Sequence, residues 1–173
     1  MLRRHLSAIC CGIVALLMTA PTGAAQSLGV SAGYAQPGRA LAQYGTSGFD
    51  IAVSAQWQPA TRPFGARLTG SFARLPGRFS ALAETPAVEV YGLTTEGVLT
   101  LPTNGLRPYL AAGPGLYGTN SYTAYRLGFR MAGGLEVPVG RLRIFGEVAA
   151  VQYPHDGSSE GNRLRTLTFG FRR

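Results

Sequence analysis

The sequence predicts an all-β fold: an eight-stranded antiparallel up-and-down transmembrane β-barrel that follows an N-terminal signal peptide. Three observations predict it. Apolar and polar residues alternate with period two along eight segments, no segment carries a helical apolar stripe of three turns, and the chain of 173 residues contains 24 glycines with only 14% charged residues. Because glycine costs about 1 kcal/mol at each helix-interior site, this composition favours strands and turns.

The first 25 residues have the composition of a secretory signal peptide. Arg3 and Arg4 form a basic start, an apolar segment follows at residues 6–20, and small residues occupy 22–25. The apolar run of about 15 residues is short for a helical membrane span, which needs about 20. We therefore predict Sec export, removal of residues 1–25, and one mature domain, residues 26–173. Both cysteines lie in the removed segment, so the mature domain forms no disulfide.

Eight alternating segments follow, most of them near the 9 to 11 residues that a tilted membrane strand needs. Long polar links and short turns alternate between them, as in outer-membrane barrels with long external loops and short periplasmic turns. The predicted strands are 28–34, 49–58, 64–72, 88–101, 106–117, 125–137, 141–151 and 164–171. The predicted long links are 35–48, 74–86, 118–124 and 154–162, and the short turns are 59–63, 102–105 and 138–141.

The two faces of these strands differ in charge. One face is large and apolar, and the other carries four acids and five arginines, namely Asp50, Arg67, Glu96, Arg107, Arg126, Arg130, Glu136, Arg143 and Glu147. An arginine facing lipid at the bilayer midplane costs about 2–4 kcal/mol, so the charged face must line the lumen. Eight strands enclose only enough space for their own side chains. This favours a salt-bridge network over an ion path, and a narrow passive pore is the alternative.

The positions of the charges along the strands predict specific pairs. Glu136 and Arg143 lie symmetrically about a turn at 139–140, which places them directly across a hairpin. In the same register, Glu147 lies diagonal to Arg130. Two ion pairs between the seventh predicted strand and its hairpin partner are therefore expected.

The fifth predicted strand and its neighbours contain several small inward residues, and the fifth also contains a proline within its length. Inward glycines such as Gly92, Gly113 and Gly134 are expected to leave room for the arginines and tyrosines opposite. Pro114 lies deep in its strand and has no amide donor for the ladder. We therefore predict a bulge or a local break in the ladder at Pro114.

The segment RPYLAAGPGLY, residues 107–117, resembles the glycine-containing RPY strand of the small OmpA-like and OmpX-like outer-membrane β-barrel family, also described as the porin family. The resemblance spans the mature chain and implies a monomer in the outer membrane, surrounded by lipid and lipopolysaccharide. Members end in an aromatic residue that the barrel-assembly machinery recognises. Phe169 and Phe171 match that signal, although Arg172 and Arg173 follow them.

Aromatic and basic residues near the strand ends predict contacts with the membrane interface. Amphipathic rings prefer that region, and the four candidates are Tyr34, Trp57, Tyr91 and Tyr125. Arginines in or beside the long links either meet lipopolysaccharide phosphates or form a solvated surface; they are Arg39, Arg74, Arg78, Arg163 and Arg165. The net charge of +8 suits anionic lipid, and no nucleic-acid-binding motif is present.

A catalytic alternative rests on His155 and Ser158 in the last long link, because some barrels of this architecture are lipid A-modifying enzymes with a serine and a histidine. The surrounding HDGSSEG is also typical of a solvated hairpin loop. Deacylase-like barrels place the two residues in a strand, two positions apart, and this motif is absent. We predict no catalytic residue, metal or cofactor. The leading hypothesis is a non-enzymatic barrel that acts in envelope structure or surface interaction through its loops; a lipid A acyl hydrolase or transferase is the enzymatic alternative.

Overall fold

The computed structural model of the chain describes residues 26–59, 62–77, 79–80, 83–84, 86–101, 103, 105–120, 125–154 and 162–173. The predicted signal peptide and the catalytic candidates His155 and Ser158 lie outside the described residues. The strands are β1 Gln26–Arg39, β2 Gly48–Trp57, β3 Phe64–Leu75, β4 Phe79–Ser80, β5 Ala83–Glu84, β6 Val88–Thr100, β7 Arg107–Thr119, β8 Arg126–Val139, β9 Leu142–Tyr153 and β10 Asn162–Arg172. A short 3₁₀ helix, Ala40–Gln43, follows β1.

Eight of these strands close into an antiparallel barrel in the order β1-β10-β9-β8-β7-β6-β3-β2. The predicted fold class is therefore confirmed. The links after β1, β3, β7 and β9 lie at one end of the barrel, the loop end, and the shorter connections after β2, β6 and β8 lie at the other, the turn end. β4 and β5 form a small hairpin within the loop-end link between β3 and β6, where the sequence predicted no strand.

The turn between β8 and β9 differs from the predicted one. Val139 pairs with Leu142, so the turn consists of residues 140–141, and Gly140 adopts a φ of 62°. Two-residue hairpin turns favour glycine at this first central position. The predicted register was wrong by two residues: Arg143 lies across from Pro138, and Glu136 lies across from Phe145.

The ladder between β6 and β7 is interrupted beside Pro114. Thr94 pairs with Gly115 and Gly97 pairs with Ala112, which is one continuous register, but Thr95 and Glu96 have no ladder partner on β7. No residue is inserted, so of the two predicted alternatives the structure shows the local break and not the bulge. The missing amide donor of proline accounts for it.

The outside of the barrel wall is apolar. Val53, Leu110, Leu127, Met131 and Phe169 are each more than half exposed, and none of them points into the lumen. A water-soluble barrel would bury its large apolar side chains inside. No helix in the described part of the chain has the length and apolar character needed to cross a membrane.

Candidate functional site

Two arginines and two glutamates form a ring of ion pairs across the centre of the lumen, which we call the quartet: Arg67, Glu96, Arg130 and Glu147. Arg67 donates from Nε to Glu96 Oε2 and from Nη1 to Glu147 Oε2, both at 2.6 Å. Arg130 donates from Nη1 to Glu96 Oε1 and from Nη2 to Glu147 Oε1. Each arginine thus bridges both carboxylates, and all four side chains are buried.

Strand register explains how the quartet forms. Arg67 on β3 lies directly across from Glu96 on β6, while Arg130 and Glu147 come from the neighbouring strands β8 and β9 on another part of the wall. The two pairs then join through the lumen. The predicted contact between Glu147 and Arg130 is present although the predicted register was wrong, because the long arginine side chain reaches four residues along the strand from Val151, its ladder partner.

Neutral hydroxyl groups also donate to the carboxylates of the quartet, whereas Arg67 Nη2 is buried without a hydrogen-bond partner among the described residues. Thr69 Oγ1 donates to Glu96 Oε2 at 3.0 Å, and the Tyr109 hydroxyl donates to Glu147 Oε2 at 2.9 Å. Every carboxylate oxygen of Glu96 and Glu147 therefore accepts at least one hydrogen bond from a buried donor. Buried ion pairs are tolerated when their remaining lone pairs are satisfied in this way. Neither carboxylate is free to act as a general base.

A second charged group lies nearer the turn end, around Glu136. Its carboxylate accepts a hydrogen bond from Arg172 Nη1 and lies 3.6 Å from Arg143 Nη1. The Arg172 guanidinium also lies over the Phe145 ring at 4.8 Å and over the Tyr109 ring at 5.9 Å from the centroids. Arg172 is only 1% exposed, so its charge is stabilised by this carboxylate and by the two ring faces.

Arg172 is a buried charged residue of the lumen that the sequence did not predict. The pattern of a final aromatic residue gives Arg172 no role. The alternation of inward Thr168 and Gly170 on β10 continues to position 172, and this was the signal that could have identified it. Strand β10 thus places the charged side chain of Arg172 in the lumen.

The structure brings six of the nine predicted charged residues into these two groups. The other three lie elsewhere on the wall. Asp50 is buried on β2, Arg107 at the start of β7 lies directly across from Glu136, and Arg126 is half-buried at the loop-end start of β8.

Above the quartet, the loop end of the lumen is filled by apolar side chains, which we call the plug. The Tyr117 and Tyr153 rings stack within it with centroids 5.5 Å apart. Leu41 of the 3₁₀ helix and Leu75 at the end of β3 also belong to it, although the sequence analysis placed both in polar links. Its buried members are Ala35, Leu41, Ala73, Leu75, Val88, Val90, Tyr117, Val151, Tyr153 and Leu164.

Several inward glycines make room for tyrosine rings, whereas a Cβ on Gly113 would meet the backbone of Thr95 and not an arginine or a tyrosine. A Cβ on Gly92 would lie 2.9 Å from a ring carbon of Tyr117, and one on Gly128 would lie 2.8 Å from another. A Cβ on Gly134 would lie 2.5 Å from the Tyr109 ring and hydroxyl. The rings therefore occupy space that the side chain of an alanine at these positions would take.

No known protein-family model matches this sequence, and no curated protein matches it. Solved structures do resemble it in fold. Neisserial surface protein A aligns over 87% of this chain and 97% of its own with a TM-score of 0.64 and 16% identity. This chain has the fold of a small outer-membrane β-barrel. The outer membrane enzyme PagL aligns over 83% and 97% with a TM-score of 0.57 and 15% identity. Ail of Yersinia pestis aligns over 85% and 99% with a TM-score of 0.51 and 15% identity.

The predicted interface aromatics of this outer-membrane barrel fold lie towards the two ends of the wall. Tyr34 and Tyr125 are exposed near the loop end, and Trp57 ends β2 at the turn end. Tyr91 belongs to a row of rings near the loop end, in which Phe72 lies 5.3 Å from Tyr91 and 6.0 Å from Phe49 between centroids.

The predicted assembly signal lies on the outside of the last strand. Phe169 and Phe171 are 65% and 54% exposed and face away from the lumen towards the turn end of β10. Both rings are therefore accessible on the outer wall of the barrel fold.

The described part of the barrel contains no histidine and no group of three or more histidine, cysteine or acidic residues placed to hold a metal ion. Three of its buried acids, Glu96, Glu136 and Glu147, form ion pairs with arginines. The ion pairs of the quartet join different parts of the wall, and buried side chains occupy the space that the wall encloses.

Proposed function

We propose that this chain is an integral outer-membrane protein with its loop end outside, and that it acts without catalysis, in envelope structure or in surface interactions through its loops. The apolar outer wall of a closed barrel supports membrane insertion, because the strand ladders pair the backbone around the whole ring, with a short interruption beside Pro114. The resemblance in fold to outer-membrane barrels agrees with this location.

One observation carries the non-conducting part of the proposal: the lumen is occupied. The quartet bridges it at the centre, and the plug fills it towards the loop end. A solute would have to separate four buried ion pairs and displace the stacked rings of Tyr117 and Tyr153. The loops therefore become the part of the molecule that can meet a partner.

The enzymatic alternative requires a histidine, and the described part of the barrel contains none. PagL, an enzyme, shares the fold, but at 15% identity that likeness extends to architecture only. The alternative therefore depends on His155 and Ser158, which remain sequence predictions. The lipid A mass spectrum of cells expressing the protein tests it: we expect no change relative to cells without the gene. A new deacylated or acylated species that disappears in His155→Ala would establish the enzyme.

Membrane integration is tested by heat-modifiable migration in gel electrophoresis together with urea extraction of the membrane fraction. We expect the unheated protein to migrate faster than the heated protein and to stay in the membrane in urea, since a closed barrel stays folded in detergent. Recovery of the folded protein from the soluble periplasm would overturn the proposal. Cleavage of intact cells by external protease within the loop-end links, and not at the turns, would give the orientation.

The further partners follow from the same proposal. Phe169 and Phe171 are accessible for recognition by the barrel-assembly machinery, as the resemblance implies. Lipid and lipopolysaccharide surround the apolar wall, and the protein acts as a monomer. No nucleic acid is expected as a partner, because the basic residues of the described barrel lie at its ends, inside its lumen or on its membrane-facing wall.

A further inference from the structure

The outer wall of the barrel is indented on the side formed by β6 to β9. A groove of about 700 Å³ crosses this side and reaches β10. A second depression of about 630 Å³ adjoins it and shares Leu99, Leu110, Gly133 and Val148 with it. Small outward residues form the floor of the larger groove, because their side chains add little bulk to the wall. They are Gly97, Ala112, Gly133 and Ala150. The adjoining wall nearer the loop end, on β2, β3 and β6, carries the bulky row of Phe49, Phe72 and Tyr91 instead.

The groove has a direction. Cross-strand pairs join Gly97 to Ala112, Ala112 to Met131, Met131 to Ala150, and Ala150 to Arg165. This row crosses four inter-strand gaps of about 4.8 Å, roughly 19 Å in all. Gly97 lies close to the turn-end terminus of β6, whereas Arg165 lies close to the loop-end start of β10. The groove therefore runs obliquely along the wall, from near the turn end towards the loop end.

One charged residue lines the larger groove, and it lies at the upper end. Arg165 is exposed on the outside of β10. The next outward residue towards the turn end is Leu167, while towards the loop end the outward positions become polar at Arg163 and at Gln152 of β9. Arg165 thus marks the edge of the apolar wall, where lipid headgroups meet hydrocarbon chains and an outward arginine costs little.

We propose that this groove binds one acyl chain of a phosphorylated glycolipid of the outer leaflet, lipid A, and that Arg165 pairs with its headgroup phosphate. The inference rests on the proposed membrane orientation. The groove offers an apolar track of suitable length, and a guanidinium can bind two phosphate oxygens at once. A second copy docking through this same surface would add a second arginine and no counter-charge, so charge complementarity favours the phosphate.

Native mass spectrometry tests the site on protein taken from micelles that contain equal amounts of bisphosphorylated lipid A and phosphatidylcholine. The test variants are Gly97→Leu, which fills the floor, and Arg165→Gln, which removes the charge. A Cβ at Gly97 meets no atom closer than the Ala112 carbonyl oxygen at 4.0 Å, so the backbone there has room for a side chain. The matched controls are Gly70→Leu, where a Cβ meets nothing within 4 Å, and Arg74→Gln, both on β3 outside the groove.

We expect the wild type to retain one lipid A in preference to phosphatidylcholine. Each test variant lowers the fraction of protein that holds lipid A about tenfold, which corresponds to the loss of one charge-assisted contact or of an equivalent amount of apolar packing. Both controls keep the bound fraction of the wild type. Equal retention of the two lipids by the wild type, or equal losses in tests and controls, would overturn the site. A dimer of the wild type that the test variants abolish would also overturn the site, because a second copy of the chain would then occupy the groove.

Heat-modifiable migration of each variant is measured first, because it reports the barrel independently of the lipid. A wild type without the mobility shift contradicts the proposed function itself. A normal shift without lipid A preference contradicts only the groove as a lipid site.

Discussion

The quartet makes a quantitative prediction about stability, and Glu147→Gln is the variant that tests it. This substitution keeps the size of the side chain but removes its charge. Glu147 accepts hydrogen bonds from Arg67, from Arg130 and from the Tyr109 hydroxyl, and two of these three come from a positively charged donor. After the change, two buried arginines face the single carboxylate of Glu96.

The expected cost is about 3–5 kcal/mol in the free energy of unfolding, the range for removing one member of a buried ion pair. Two lost charge-assisted bonds at about 1.5–3 kcal/mol each give a similar figure. A double variant, Glu147→Gln with Arg130→Gln, restores one arginine to one glutamate. We expect it to be more stable than the sum of the two single losses by about 0.5–3 kcal/mol.

Urea unfolding in lipid vesicles measures these differences, followed by the fluorescence of Trp57, the one tryptophan in the sequence. The matched control is Glu89→Gln on the outside of β6, where the carboxylate accepts a bond from the Tyr91 hydroxyl at 2.6 Å near the loop end. We expect that control to cost less than about 1 kcal/mol. A Glu147→Gln loss no larger than the control's, or strict additivity in the double variant, would refute the cross-lumen role of the quartet.

Four further results are expected. Arg172→Ala leaves Glu136 with only its longer contact to Arg143 and costs about 3–5 kcal/mol, whereas exposed Arg173→Ala changes stability by less than about 0.5 kcal/mol in the same assay. Gly134→Ala forces the packed tyrosine ring to move and costs about 1–3 kcal/mol, while its outward neighbour Gly133→Ala is tolerated. Planar bilayers containing the wild type show no single-channel steps; regular steps would contradict an occupied lumen. Phe171→Ala lowers the amount of barrel in the outer membrane without changing the stability of refolded protein; equal amounts of both proteins would remove Phe171 from the assembly signal.

The sequence was sufficient to predict the barrel because period-two alternation is a backbone property of strands. Once a strand is assigned, parity alone decides that Arg67 and Glu96 share the face opposite Leu68 and Leu99. Direct pairing across a hairpin was harder, because it depends on where the turn begins. Gly140, and not Val139, takes the first central position of the β8–β9 turn, and that single residue shifted the partner of Glu136 from Arg143 to Phe145.

The parts that the sequence did not predict depend on contacts between distant strands. Leu41 and Leu75 lie in or beside segments whose polar composition suggested exposed links, yet both are buried in the plug. Their burial depends on strands β1 and β3 running further towards the loop end than the alternation showed, Gln26–Arg39 and Phe64–Leu75. The ring of ion pairs in the quartet could not be predicted from the sequence either. Parity shows that the four side chains share the lumen, but it does not show which arginine contacts which carboxylate.

The pairing within the quartet also bears on how the protein can enter a membrane. Arg67 and Glu96 belong to adjacent strands, β3 and β6, and Arg130 and Glu147 belong to the hairpin β8–β9. Each of these two strand pairs contributes one positive and one negative charge. The quartet charges within each half therefore compensate each other before the barrel closes, which lowers the cost of bringing them into hydrocarbon. Closure then joins the same four charges, from two separate pairs on adjacent strands, into one ring that connects both parts of the wall.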